Sequence, residues 1–166
     1  ESVNIPRGIT TIPKDAFSFC CFSSIVIPDN VTKIGNSAFS AVSELSSITL
    51  PDGLTWMGES AFSSTDLESI RIPEGMTEIA NTAFMSCDKL KTVILPKSIT
   101  DIGWNAFAGC SSIQDVYFAG SAEEWDAIEV GLYNQQLLNA TIHYNSTGPG
   151  SESEPEGPAP SIPTPI

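Results

Sequence analysis

Basic residues are scarce in this sequence: 7 Lys and Arg stand against 20 Asp and Glu in 166 residues, a formal charge of −13. Nucleic-acid recognition needs clustered cations, so that class of partner is excluded, and adsorption to an anionic lipid surface is opposed. No run of 18 apolar residues exists, so no helix should span or insert into a membrane. No starting Met and no charged-then-apolar leader is found, and the chain opens at Glu1 inside a repeat. A processed or excised end is expected, with any secretion signal lying outside this stretch.

Catalytic and metal-binding signatures are equally thin. The one histidine, His143, has no Cys or Ser motif beside it and reads as structural or exposed. Glu123 and Glu124 are adjacent, so on a helix they point to different faces and make a poor acid–base pair. There is no His-Glu-x-x-His, no calcium loop and no glycine-rich phosphate loop. No enzyme activity and no cofactor is therefore expected. The cysteines at 20, 21, 87 and 110 form no Cys-x-x-Cys pair. Three of them share one slot with Val42 and Thr65, which reads as small and buried. Cys87 and Cys110, one coil apart, are expected to be free thiols pointing the same way.

Hydrophobic residues make up 41% of the chain, enough for one domain with a core, and they recur with a fixed period. Ile5-Pro6, Ile27-Pro28, Leu50-Pro51, Ile72-Pro73 and Leu95-Pro96 are separated by 22, 23, 22 and 23 residues. The Ala-Phe pairs ending at Phe17, Phe39, Phe62, Phe84 and Phe107 keep the same steps. Before each Pro runs an alternating segment such as Leu45–Leu50, the mark of a half-buried strand, which the Pro ends because it has no N–H. A turn follows, then a second segment such as Leu54-Thr55-Trp56-Met57. No unit can bury its apolar face alone, but stacked units share one core at about 4.8 Å per coil.

The unit L-x-x-I-x-L-P-x-x-(V/L)-T-x-I-G-x-x-A-F, most complete at Leu45–Phe62 and Leu90–Phe107, resembles the BspA-like leucine-rich repeats of bacterial surface and secreted proteins. The resemblance covers about residues 1–118. It implies a mainly β repeat solenoid, a right-handed superhelix of 22–23-residue units with one parallel sheet on its concave side. It also implies adhesion or host contact through diverse partners. Pro13 and Ala80 replace the repeat's glycine in two units, which is expected to alter local turns only.

After Phe118 the period stops. Ser121-Ala122-Glu123-Glu124 is a capping-box pattern, so a helix is expected from about Ala122 to Val130, burying Trp125 and Ile128. Leu132, Leu137 and Leu138 add apolar surface, and 140–144 reads as a closing strand, making residues 119–145 a C-terminal cap. Residues 146–166 hold six of the 12 prolines with little apolar bulk, the composition of a disordered linker.

Repeats supply their own control for surface positions. One outward row of the strands before the prolines is small and hydroxylic. The next, Val26, Thr49, Arg71, Ile94 and Tyr117, varies in size and charge and is the candidate partner-facing row. Arg71 is the only cation in either row, and Tyr117 is of a type enriched at binding hot spots. A rival patch uses Trp56, in a slot otherwise held by Thr11, Lys33, Glu78 and Asp101, and Trp104, in place of Lys14, Asn36, Glu59 and Asn81. Both tryptophans are expected to be partly exposed. The leading reading is a monomeric, non-enzymatic recognition or adhesion module of an extracellular or cell-surface bacterial protein, with a protein or glycan partner. The rivals are a structural spacer and a polysaccharide-binding accessory module of a larger extracellular protein.

Overall fold

Each repeat folds as one coil with two short strands, because each carries two alternating apolar segments separated by a Pro-led turn. The computed structural model describes residues 2–151. The strands before the prolines are β1 (Ser2–Asn4), β3 (Ser24–Val26), β5 (Ser47–Thr49), β7 (Ser69–Arg71), β9 (Thr92–Leu95) and β11 (Asp115–Phe118). The second segments form β2 (Thr11–Ile12), β4 (Lys33–Ile34), β6 (Trp56–Met57), β8 (Glu78–Ile79), β10 (Asp101–Ile102) and β12 (Glu129–Val130). All pair in parallel and in register, for example Val116 beside Val93 and Ile34 beside Ile12. The result is a β-solenoid of six coils, closed by β13 (Thr141–His143) beside β11.

The core runs the length of the stack. Val93, Val116, Ile12, Ile34 and the Ala-Phe pairs of coils 2 to 5 are all buried. The Phe rings stack one per coil: Phe17 on Phe39 at 5.2 Å, Phe39 on Phe62 at 5.1 Å, Phe62 on Phe84 at 5.7 Å and Phe84 on Phe107 at 5.3 Å. Hydrogen bonds run in opposite directions on two sides of the coil. Second-strand N–H groups donate to the preceding coil, as Gly58 to Ile34 at 2.9 Å, whereas Phe62 donates to Ala83 of the following coil at 2.8 Å.

Both ranks of strands break at one joint: β5 does not pair with β7, nor β6 with β8. The repeat's glycine slot accounts for the break in the second rank. A Cβ on Gly35 would lie 2.5 Å from Lys14 N, on Gly58 2.6 Å from Asn36 N, and on Gly103 2.5 Å from Asn81 N, all backbone of the preceding coil. Coil 4 carries Ala80 in that slot, so its methyl group must hold coil 4 away from coil 3. The glycine-slot N–H bonds seen from Gly35, Gly58, Gly103 and Gly131 have no counterpart from Ala80 to Met57. The Phe62–Phe84 spacing is the longest of the four, and Ser60 N–H to Asn81 C=O, at 3.2 Å, is the longest bond of its row. The substitution thus does more than alter a local turn; it coincides with the interruption of the second rank.

The end of the solenoid differs from the sequence expectation in its boundaries. The capping box forms: Glu124 N–H donates to Ser121 Oγ, and the Glu124 carboxylate accepts from Ser121 N–H at 2.9 Å. The helix α1 spans only Ala122–Asp126, and Glu129–Val130 instead joins the second rank as a sixth repeat strand, with Gly131 in the glycine slot. Trp125 is half-buried against Phe118, not fully buried. Leu137, in the short helix α2 (Gln135–Leu138), is buried, while Leu132 and Leu138 are exposed. Ser146, placed in the linker by composition, is buried and donates its N–H to Phe118 C=O at 3.0 Å. The remainder of that linker, from 152, lies outside the described residues. All four cysteines are free, Cys87 and Cys110 buried, but Cys20 is exposed, against the buried slot expected for it. Cys87 and Cys110 each donate to the preceding coil's Phe carbonyl, at 3.1 and 3.0 Å. The hydrogen bond to Cys87, and then burial, hold the Cys110 thiol far above its ordinary range.

Candidate functional site

The varied row on the first rank is only partly open. Val26, Thr49 and Arg71 are exposed, Ile94 is half-buried, and Tyr117 is buried at 8% exposure. The closing strand covers the last of these: the His143 ring stacks on Tyr117 at 4.4 Å and its Nε2 lies 2.8 Å from Asp115 Oδ1. Residues 146–151 then fold back as a tight turn, with Ser146 Oγ and Ser151 Oγ both donating to the Gly148 carbonyl. A Cβ on Gly148, whose φ is +140°, would lie 3.0 Å from Arg71 Nη2 and 3.5 Å from Ile94 Cδ1. The turn therefore rests on the middle of the row. Sequence reasoning missed this because the segment's composition matches the tail beyond it.

The rival patch forms a continuous depression. Trp56, 39% exposed, and Trp104, 60% exposed, line one groove of about 650 Å3 on the outer face of the second rank. Asn36 and Glu59 line it from coils 2 and 3, Glu78, Ala80 and Asn81 from coil 4, and Asp101, Glu129 and Gly131 from coils 5 and 6. The groove crosses the joint that Ala80 opens. The Trp104 edge lies over Gly131, where any Cβ would strike it. Two surface rows meet here by repeat logic: the strand's outward residue (Trp56, Glu78, Asp101, Glu129) and the residue after the glycine slot (Glu59, Asn81, Trp104).

The groove is acidic on both walls, and no Lys or Arg lines it. Register sets Glu78 directly beside Asp101 and Asp101 beside Glu129 on neighbouring strands, an arrangement of like charges that weakens a sheet. Elsewhere the chain neutralises such neighbours: Lys89 sits 2.6 Å from Asp66, Lys91 3.4 Å from Glu68 and Lys97 2.8 Å from Glu124. Lys97 draws the Glu124 carboxyl below its usual range, and Asp66 raises Lys89. Within the groove, the carboxylates' hydrogen-bond partners are neutral: Asn81 Nδ2 donates to Glu59 Oε1 at 3.2 Å and Thr100 Oγ1 to Asp101 Oδ2 at 2.6 Å. Among the described residues no three His, Cys, Asp or Glu side chains converge on a point where a metal ion could sit. What the arrangement offers is a pair of aromatic faces and a ladder of carboxylates, suited to binding.

Comparison with known proteins agrees with the coil pattern. Residues 2–128 match the family model described as BspA type leucine rich repeat region, in six copies. A leucine rich cell surface protein from Faecalibacterium prausnitzii superimposes with TM-score 0.73 and 35% identity, covering 77% of this chain and 34% of that one. A leucine rich repeat protein of T. pallidum gives TM-score 0.66 and 28% identity over 78% of this chain and 68% of its own. A leucine-rich repeat protein from Bacteroides ovatus gives 0.54 and 30%, over 70% and 39%. This chain spans about a third of the Faecalibacterium protein. A search of curated proteins found no match.

Proposed function

The chain belongs to the BspA type leucine-rich-repeat family, and from that premise we propose that it is a non-catalytic recognition module of a bacterial cell-surface or secreted protein whose binding surface is the Trp56–Trp104 groove. The observation that carries this reading is that two large aromatic side chains stand exposed, 39% and 60%, on one groove. Apolar surface gathered on one exposed groove marks an interaction site, whereas a single exposed residue such as Phe19 does not, and Trp is enriched among the residues that dominate binding. The surface location follows the similar Faecalibacterium protein, a leucine rich cell surface protein.

The varied row is the weaker candidate, since Tyr117 is buried and Arg71 and Ile94 lie beside the 146–151 turn. Peptide and glycan arrays probed with the labelled chain test the choice. Array hits that survive Thr49→Ala with Arg71→Ala but are lost on Trp56→Ala with Trp104→Ala support the groove. Hits lost with the row variant and kept by the tryptophan variant overturn it.

A further inference from the structure

We propose that the groove takes an extended peptide segment bearing arginine or lysine, and that Ala80 creates the site by holding coils 3 and 4 apart. The inference rests on the groove being the binding surface and adds what binds there and why the groove exists. Three observations combine. First, the groove lies across the one joint where both ranks of strands fail to pair, with Trp56 and Glu59 on one side and Glu78, Ala80 and Asn81 on the other. Every other glycine-slot contact in the stack is tight, because a Cβ there would strike the backbone of the preceding coil. Only coil 4 among coils 2 to 6 has a methyl group in that slot.

Second, the charge lining the groove is of one sign, and the one cation of the same outward row, Lys33, stands beyond Trp56 and outside the lining. Glu78, Asp101 and Glu129 stack in register, while the nearby Lys89, Lys91 and Lys97 are engaged with Asp66, Glu68 and Glu124 on other faces. A cationic occupant would remove that repulsion. Third, the carboxylates are strung along the groove and do not converge, since no metal-holding cluster forms among the described residues. A divalent ion therefore finds no cage, whereas cations spaced along a chain find successive partners. From coil 3 to coil 6 the ladder runs about 14 Å, the length of roughly four extended residues. Arginine fits the pattern best: its planar guanidinium pairs with a carboxylate by two hydrogen bonds and also stacks on indole faces. A neutral sugar would use the tryptophans but leave the carboxylate ladder uncompensated.

Calorimetric titration with hexa-arginine, a neutral Gly-Ser hexapeptide and maltohexaose tests the inference. Hexa-arginine should bind, the other two should not, and the affinity should fall as salt rises. Trp56→Ala with Trp104→Ala, and separately Glu78→Gln with Glu129→Gln, should each weaken binding about tenfold. Asp29→Asn with Asp52→Asn removes the same charge outside the groove and should change affinity less than about twofold. The Glu→Gln changes are on exposed side chains, so they keep the test valid if the tryptophan variant folds poorly. Ala80→Gly should let coils 3 and 4 close, protect the residue-80 amide from hydrogen exchange, and weaken hexa-arginine binding about as much as the groove variants. Equal losses with the Asp→Asn control would reduce the effect to net charge and overturn the cationic-groove inference. Unchanged affinity in Ala80→Gly, with the amide newly protected, would overturn the role of Ala80. Groove-dependent array hits that are neutral glycans, with no hexa-arginine binding, would sink this inference while leaving the recognition reading standing.

Discussion

Asn134 ends the solenoid, and its removal has a cost that can be worked from the structure. In coils 1 to 4 each Phe N–H donates to the Ala carbonyl of the next coil at 2.8 Å: Phe17 to Ala38, Phe39 to Ala61, Phe62 to Ala83, Phe84 to Ala106. Coil 6 presents no Ala carbonyl to Phe107. The Phe107 N–H donates instead to Asn134 Oδ1 at 2.9 Å, while Asn134 Nδ2 donates to Gly103 C=O at 2.9 Å and Gly131 C=O at 2.8 Å. The side chain is 1% exposed. Asn134→Ala deletes three hydrogen bonds worth about 1 kcal/mol each and leaves the buried Phe107 N–H without a partner, a further penalty of about 1–3 kcal/mol, with the other carbonyls rehydrating in part. The expected loss is about 3–5 kcal/mol, a large share of the 5–15 kcal/mol typical of a domain. At about 2–4 °C per kcal/mol for this size, the melting temperature should fall by roughly 10 °C. Urea denaturation with a fixed m-value measures the loss, and hydrogen exchange at the Phe107 amide localises it. Asn134→Asp keeps an acceptor but turns a carboxylate toward two carbonyls, so at neutral pH it should be no more stable than the Ala variant. A loss below about 1 kcal/mol with Phe107 still protected would show that the end is satisfied some other way.

Two other outcomes follow from the same packing. Gly103→Ala places a methyl group 2.5 Å from Asn81 N and 2.8 Å from Ala80 C, and backbone cannot step aside. It should open the joint between coils 4 and 5 and cost about 1–2 kcal/mol by urea denaturation, overpacking outweighing the gain in chain stiffness; a stabilised variant would contradict the glycine-slot argument. Of the four thiols, Cys20 and Cys21 are exposed and Cys87 and Cys110 buried, so a thiol reagent should titrate two groups at once and two only after unfolding. Four fast thiols would mean that the coil interior is not closed.

The coils were legible because two markers, the Pro that ends a strand and the Phe that fills a coil, repeat in one register. The exposure of Trp56 and Trp104 was legible too, since the equivalent slots hold Thr, Lys, Asn, Glu and Asp. What escaped was whatever depends on the distance between coils. A glycine at 35, 58 or 103 looks like a turn requirement in one dimension, but its actual constraint is the backbone of the preceding coil; hence Ala80 seemed harmless. Glu129-Val130-Gly131 repeats the outward, apolar, glycine order of Asp101-Ile102-Gly103, a signal obscured by the strong helix start at Ser121. The turn at 146–151 carried no signal apart from its tail-like composition. Its order comes from Phe118 and from hydroxyl contacts that the chain meets only after folding.

The missing rungs between coils 3 and 4 also set how the molecule answers force. A solenoid pulled from its two ends carries tension through its coils in series, each joint holding by its own rungs and ring contacts. The joint beside Ala80 has the fewest rungs and the widest ring spacing, so it yields first, and coils 1–3 part from coils 4–6 as two intact blocks. A molecule lodged in the groove would bridge those blocks like a splint, so the grip on the occupant and the tensile strength of the stack would rise and fail together.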